Sequence, residues 1–373
     1  MITELAPPEP DLRAAADPAP QAAPGPPPAP GRDVRLDLLR GACVVLMLYG
    51  HLGWRALEPR TRIGFATLAE FFFLLSGATL GVVAARLAGT GREQGLGRRL
   101  LRRGLWLWAA HLVLVAIYRL LTGPVFPAGD LRRLWRGVEP AWTWLGFDQP
   151  SVLNVLPRYA LFLVLAPGAL ALVRRGRHGL LLGLSLGLWL AHWGSGGALL
   201  LPGLEQSRAP YPSAGWQLLF FGGFALAHLW SVRAGPAPPR WIAAALVASS
   251  ALLTAVFVAL AGSPFGRSLP EAWISRPLLG PLRLINLLAA AALAATLVSR
   301  WRRPLARWAG WLLEPFGRNA LPAFLLHIPL VWALLFVPGI GHDDDLRKPV
   351  AAALVLLLLP LVRRPGIRRW LAP

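Results

Sequence analysis

Apolar residues run through this chain in blocks of roughly 20, and arginine, glycine and proline gather where the blocks end. A helix rises ~1.5 Å per residue and a bilayer core is about 30 Å thick, so a block of that length can cross it. The pattern predicts ten helices, at 36–57, 63–87, 100–121, 152–173, 179–200, 214–232, 241–262, 281–299, 318–338 and 348–363. The expected fold class is all-α, a polytopic transmembrane helical bundle of about ten spans. An even number of spans returns both termini to one side.

Residues 1–31 break the pattern. They hold ten of the 36 prolines, interleaved with alanine, and no apolar stretch long enough to bury anything. Such a segment is expected to be a disordered Pro/Ala-rich cytoplasmic tail. It lacks the basic start and compact apolar stretch of a secretory signal, so the first apolar block is expected to stay in the mature protein. Residues 32–365 then form the transmembrane domain, and 366–373 a short cytoplasmic C-terminal tail.

Composition agrees with the pattern. The chain is 55% hydrophobic and 15% charged, with a mean hydropathy of +0.51; soluble domains are about 25% charged. A net charge of +20 could signal nucleic acid. Here, though, the arginines sit in short clusters between apolar runs and not along one polar face, so no nucleic-acid partner is expected. The positive-inside rule accounts for the placement better. Arg32 and Arg35, then Arg92 to Arg103, Arg174 to Arg177, Arg300 to Arg307 and Arg363 to Arg369 all fall on one side, while Glu139, Asp148, Glu205, Glu271 and Asp343 to Asp345 fall on the other. Both termini are therefore expected in the cytoplasm. A single cysteine, Cys43, excludes an intramolecular disulfide and a cysteine-based metal site. There is no HExxH, Walker or GxSxG motif, so no resident metal is expected and the common serine-hydrolase route lacks support.

Ionisable residues inside the apolar blocks cost roughly 2.5–3.5 kcal/mol on insertion scales and mark candidate chemistry. His51 lies near the far end of the first block, about 22 Å from its start, and Glu70 lies about 10 Å into the second, which runs the other way. The two reach similar depth on neighbouring spans. A carboxylate that orients an imidazole is the arrangement of a general base, so His51 and Glu70 are the catalytic candidates. At the opposite end, Arg35, Asp37 and Arg40, with Arg102 and Arg103 of the third block, form a basic collar suited to the phosphates of an anionic ligand. Ser76, Gly77 and Gly81 are spaced for close helix approach, with substrate clearance as the alternative role. Later blocks bring Arg158 and Tyr159, Trp216 and Gln217, Arg283, and then Arg318, Asn319 and His327. An indole beside an amide, as in Trp216–Gln217, can hold a sugar ring.

RDVRLDLLRGACVVLMLYGH, GFATLAEFFFLLSGATLG, NVLPRYALFLVLAP, PSAGWQLLFFGGFALA, PLRLINLLA and FGRNALPAFLLH, in that order, resemble the OpgC family of bacterial membrane proteins, part of the wider acyltransferase-3 group. The similarity runs from about residue 32 to 335 and departs from the family at FATLAE, where an acidic residue commonly precedes the Glu, and at Gly50, where Asp is common. The resemblance implies a multi-pass protein of the bacterial inner membrane. It further implies transfer of an acyl group, succinyl or acetyl, from cytoplasmic acyl-CoA as co-substrate to hydroxyls of a periplasmic or surface glycan. On that reading His51 and Glu70 are catalytic. Arg35, Asp37, Arg40, Arg102, Arg103, Ser76 and Arg318 serve the acyl donor, and Arg158, Tyr159, Trp216, Gln217 and Arg283 the glycan acceptor. A covalent intermediate on His51 or Ser76 is the alternative to direct transfer. The alternative from another class is a proton-coupled transporter or lipid-linked glycan flippase using Glu70 and His51 as a relay.

Overall fold

A computed structural model describes residues 33–53, 62–90, 94–122, 153–201, 205, 211–233, 240–335 and 344–364. The two terminal tails and the loop acids Glu139, Asp148 and Asp343 lie outside the described residues.

Among the described residues each of the ten apolar blocks contains a helix. In chain order they are α1 (Val34–Gly53), α2 (Leu68–Leu87), α3 (Leu96–Thr122), α4 (Val155–Arg174) and α5 (His178–Gly194). Next, α6 (Ser213–Gln217) continues through a π-helical turn (Leu218–Gly222) into α7 (Gly223–Val232). After α8 (Arg240–Gly262) come two short helices, α9 (Pro264–Ser268) and α10 (Glu271–Ile274), then α11 (Pro281–Arg300). The short α12 (Arg302–Trp308) and α13 (Gly310–Arg318) lead into α14 (Ala320–Leu335) and α15 (Asp344–Arg363). Five helical stretches, Leu68–Leu87, Leu96–Tyr118, Val155–Arg174, Trp241–Gly262 and Pro281–Arg300, are long and apolar enough to cross a membrane. Their outer faces carry exposed leucine and valine, among them Leu105, Val113, Leu246, Leu252 and Leu288, which only a lipid environment accommodates over so many helices. This is a helical membrane protein.

The second block begins differently from its expected course. Residues 62–67 form a small antiparallel hairpin, β1 (Arg62–Ile63) paired with β2 (Ala66–Thr67), turning at Gly64 with φ +65°. Helix α2 starts only at Leu68, so Glu70 sits in its first turn, about 4 Å in and not 10 Å. The Thr67 backbone N–H and hydroxyl both donate to the Glu70 carboxylate. Thr-x-x-Glu is the sequence signature of a helix start, and TLAE carries it.

Small residues set how the helices pack. A methyl group on Gly77 would overlap the Phe220 carbonyl, and one on Gly81 the Phe224 carbonyl. Both numbers rise together, so α2 runs parallel to the π-turn and α7. Gly97 faces Pro167 and Gly104 faces Ala160, so α3 and α4 are antiparallel. Gly41 meets the Leu313 carbonyl and Gly317 the Asp37 carbonyl, which seats α13 directly on α1 in the antiparallel sense.

Candidate functional site

Helix α1 carries the two ends of the site. At its first turn, Arg35 binds Asp33 through Nε (2.9 Å) and Nη2 (2.7 Å) and reaches the Ser299 hydroxyl at the end of α11 (3.5 Å). Arg86, from the end of α2, lies 3.8 Å from Asp33. The Arg35 guanidinium holds the Asp33 carboxyl below the usual carboxylate range. One turn further, Asp37 is buried and Arg318 approaches it at 3.5 Å while also binding Glu314 at 2.5 Å. Arg35, Asp37 and Arg318 therefore share one end of the bundle, as the collar requires, and Arg86 and Glu314 join them without having been singled out from sequence. Arg40 lies on the next turn, half-buried. Among the described residues no hydrogen bond or ion pair links Arg102 or Arg103 to α1, and Arg102 is exposed. Arg103 is half-buried, with Nε lacking a protein partner. Ser76 is buried in α2, its hydroxyl likewise without a hydrogen-bond partner among the described residues.

At the other end of α1, His51 is half-buried. Its Nδ1 is 2.8 Å from Nε2 of His327, a fully buried residue of α14. The rings are near parallel, with centroids 5.0 Å apart and an interplanar angle of 15°. Phe324 meets both rings edge-on, and behind it stack Phe72 of α2 and then Tyr159 of α4. His327 was visible in the sequence as a polar group in FLLHIP but carried no role there.

Glu70 is not the partner of His51. Its carboxylate, with the side chain 0% exposed, is bound by Arg283 of α11 on one oxygen and by Thr67 on the other. The expected imidazole–carboxylate hydrogen bond is therefore replaced by two separate contacts, His51–His327 and Glu70–Arg283. Helix geometry gives the reason. Phe72 is the residue of α2 that faces α14, and Glu70, two positions earlier, points about 200° away around the helix.

A second buried ion pair lies among the acceptor candidates. Arg158 donates to the carbonyls of Tyr211 and Asn154, lies over the Tyr211 ring, and is 3.8 Å from Glu205. Glu205 also accepts from the Ser213 backbone and hydroxyl. Glu205, one of the acids assigned from sequence to the loops opposite the arginine clusters, has a side chain that is 0% exposed. Trp216 and Gln217 depart from the expected sugar clamp. Trp216 is 0% exposed, packed on Phe73 and Tyr211, with its indole N–H on the Arg276 carbonyl. The Gln217 amide N–H binds the Ser185 and Ala214 carbonyls. Both side chains are committed to packing, where the indole braces the 271–280 segment alongside Trp189 and Trp193, which bind the Leu279 and Ala272 carbonyls. Tyr159 is buried against Phe72, Phe73 and Phe220. Arg283 also donates to the Ile274 carbonyl of that segment.

His111 and Asn286 escaped the sequence reading. His111 of α3 is buried beside Arg158, and neither ring nitrogen has a hydrogen-bond partner among the described residues. Asn286 accepts from the Phe65 and Ala66 backbone N–H groups and so ties the β1–β2 hairpin to α11. Ala66 is fully buried beneath that contact. Among the described residues no group of three or more His, Cys, Asp or Glu side chains could hold a metal ion.

Comparison with curated proteins and with solved structures gives no match. The profile of the family described as OpgC protein matches residues 32–127 and 142–364, which takes in α1 with its collar, both histidines of the pair and both buried ion pairs. The chain belongs to the OpgC family.

Proposed function

We propose that this protein is a multi-pass O-acyltransferase of the bacterial inner membrane, with ten spans and both termini in the cytoplasm. It moves an acyl group, succinyl or acetyl, from cytoplasmic acyl-CoA to a hydroxyl of a periplasmic or surface glycan. Family membership supports acyltransferase-like chemistry in glucan modification. The observation that carries the reading is the layout of α1. Its first two turns bear Arg35, Asp37 and Arg40, and eleven residues beyond Arg40, about 16 Å up the same helix, stands the half-buried imidazole of His51.

In this scheme the phosphates of acyl-CoA dock at the collar of Arg35, Arg40 and Arg318, and the pantetheine arm carries the thioester toward His51. Nε2 of His51 takes the proton of the glycan hydroxyl. The resulting oxygen nucleophile attacks the thioester carbonyl, a new C–O bond forms, and the C–S bond breaks. The CoA thiolate leaves with the proton that Nε2 then returns. The ion pairs Glu70–Arg283 and Arg158–Glu205 sit at the acceptor end and hold the walls through which the glycan enters.

The test is His51→Ala. Glycan acylation in cells carrying that variant should vanish, as read by mass spectrometry, while membrane insertion and abundance stay normal. Acylation at the wild-type level would end the proposal. Saturable binding of acetyl-CoA or succinyl-CoA to the purified protein, lost in Arg40→Ala, separates the enzyme from a proton-coupled transporter, which needs no acyl donor.

A further inference from the structure

The proton positions in the histidine pair follow from its partners. Nδ1 of His327 is 2.5 Å from the Phe324 carbonyl oxygen, and a carbonyl can only accept, so Nδ1 of His327 carries a hydrogen. A neutral imidazole with a proton on Nδ1 has a lone pair on Nε2, the atom 2.8 Å from His51. Nδ1 of His51 must then be the donor. Its own lone pair is left on Nε2, to which no group among the described residues hydrogen-bonds. The chain of donors runs from His51 Nδ1–H to His327 Nε2, and from His327 Nδ1–H to the Phe324 carbonyl.

We infer that His327 is the positioning residue of the proposed reaction, fixing His51 in the tautomer whose Nε2 faces substrate and accepting from Nδ1–H as the ring becomes a cation. This rests on the assignment of His51 as the base. It assigns to a second, neutral histidine the task usually given to a carboxylate. The environment suits a neutral orienter: Phe324 meets both rings edge-on, and Phe72 stacks behind it. A buried carboxylate here would need a compensating cation, whereas an imidazole anchored on a backbone carbonyl needs none. Glu70, the acid that depth had matched to His51, is already held by Arg283.

Two replacements separate the roles of the two nitrogens. In His327→Gln the side-chain oxygen can stand where Nε2 stood and still accept from His51. In His327→Asn the amide can keep the Phe324 contact but presents no acceptor to His51. Each variant, reconstituted in proteoliposomes, is assayed by CoA release from succinyl-CoA or acetyl-CoA in the presence of a glucan oligosaccharide. Asn should lower kcat by roughly 10²–10⁴-fold, the span of general-base catalysis, with KM for either substrate within about twofold. Gln should recover at least about tenfold of that loss, with the acid limb of its pH profile about one unit lower, because a weaker acceptor stabilises the imidazolium less. Equal activity of Asn and wild type, or of Asn and Gln, overturns the inference. Imidazole ¹⁵N shifts of the unmodified protein give a readout free of folding defects: His51 Nδ1 protonated and Nε2 bare supports it, and the opposite tautomer overturns it. The base assignment itself fails only if His51→Ala retains acylation, so the two outcomes are distinct.

Discussion

Replacing Arg283 by Met should unmask how much of the bundle rests on one buried charge. The guanidinium binds Glu70 and the Ile274 carbonyl, and the side chains are 8% and 0% exposed respectively. Met fills a similar volume but leaves a carboxylate in an apolar interior with only the Thr67 donors. Breaking a buried pair from one side costs about 3–5 kcal/mol, because the surviving charge is uncompensated. Glu70→Gln strands Arg283 in the same way, relieved in part by the Ile274 carbonyl, so its loss should fall near the lower end of that range. The double variant Glu70→Gln/Arg283→Met removes both charges while the Gln oxygen still accepts from the Thr67 N–H. It should lose only about 1–2 kcal/mol against single losses that sum to about 6–8, giving a coupling energy of roughly 4–7 kcal/mol, well above the ~0.5 kcal/mol scatter of independent sites. Reversible unfolding in detergent micelles, read by tryptophan fluorescence for all four proteins, measures it. Additive losses would refute the reasoning, since they would mean that neither partner depends on the other for its compensation.

Further outcomes follow from contacts already described. Gly77→Ala and Gly317→Ala, each driving a methyl group into a facing carbonyl, should destabilise by about 1–3 kcal/mol in the same unfolding assay. Gly187→Ala, which meets open space on α5, should be neutral or gain up to about 1 kcal/mol. Asn286→Ala removes the acceptor of two backbone N–H groups, so amide exchange at Phe65 and Ala66 should quicken by about tenfold or more, with the α4 core unaffected.

How far the chain could be read by eye depends on which coordinate is asked for. Apolar block length is a measure along the helix axis, and every block from 36–57 to 348–363 contains a helix among the described residues. Small residues were informative for a related reason: Gly77 and Gly81 lie one turn apart on a single face, and that face meets Phe220 and Phe224. The angle around each axis is another matter, because it is fixed by partners hundreds of positions away. Glu70 finds Arg283 and His51 finds His327 across 213 and 276 residues, and no local periodicity encodes either pairing. The TLAE start was legible and would have moved Glu70 to the top of α2, but moving it along the axis still leaves its azimuth open.

The same distinction explains why the site is divided as it is. A helix facing α7 and α11 on one side and α14 on the other can give a carboxylate to the first group and an aromatic to the second, provided the two residues sit about 200° apart, as Glu70 and Phe72 do. Charge is thereby kept with charge, and the imidazole pair is left in an aromatic enclosure. An ionised carboxylate beside His51 could orient the imidazole but would need a compensating cation of its own among these aromatic side chains; a neutral histidine orients the ring without that requirement. On this argument Glu70 and His327 divide between them the two duties that depth matching had assigned to Glu70 alone: one secures the architecture of the acceptor end, and the other aims the base.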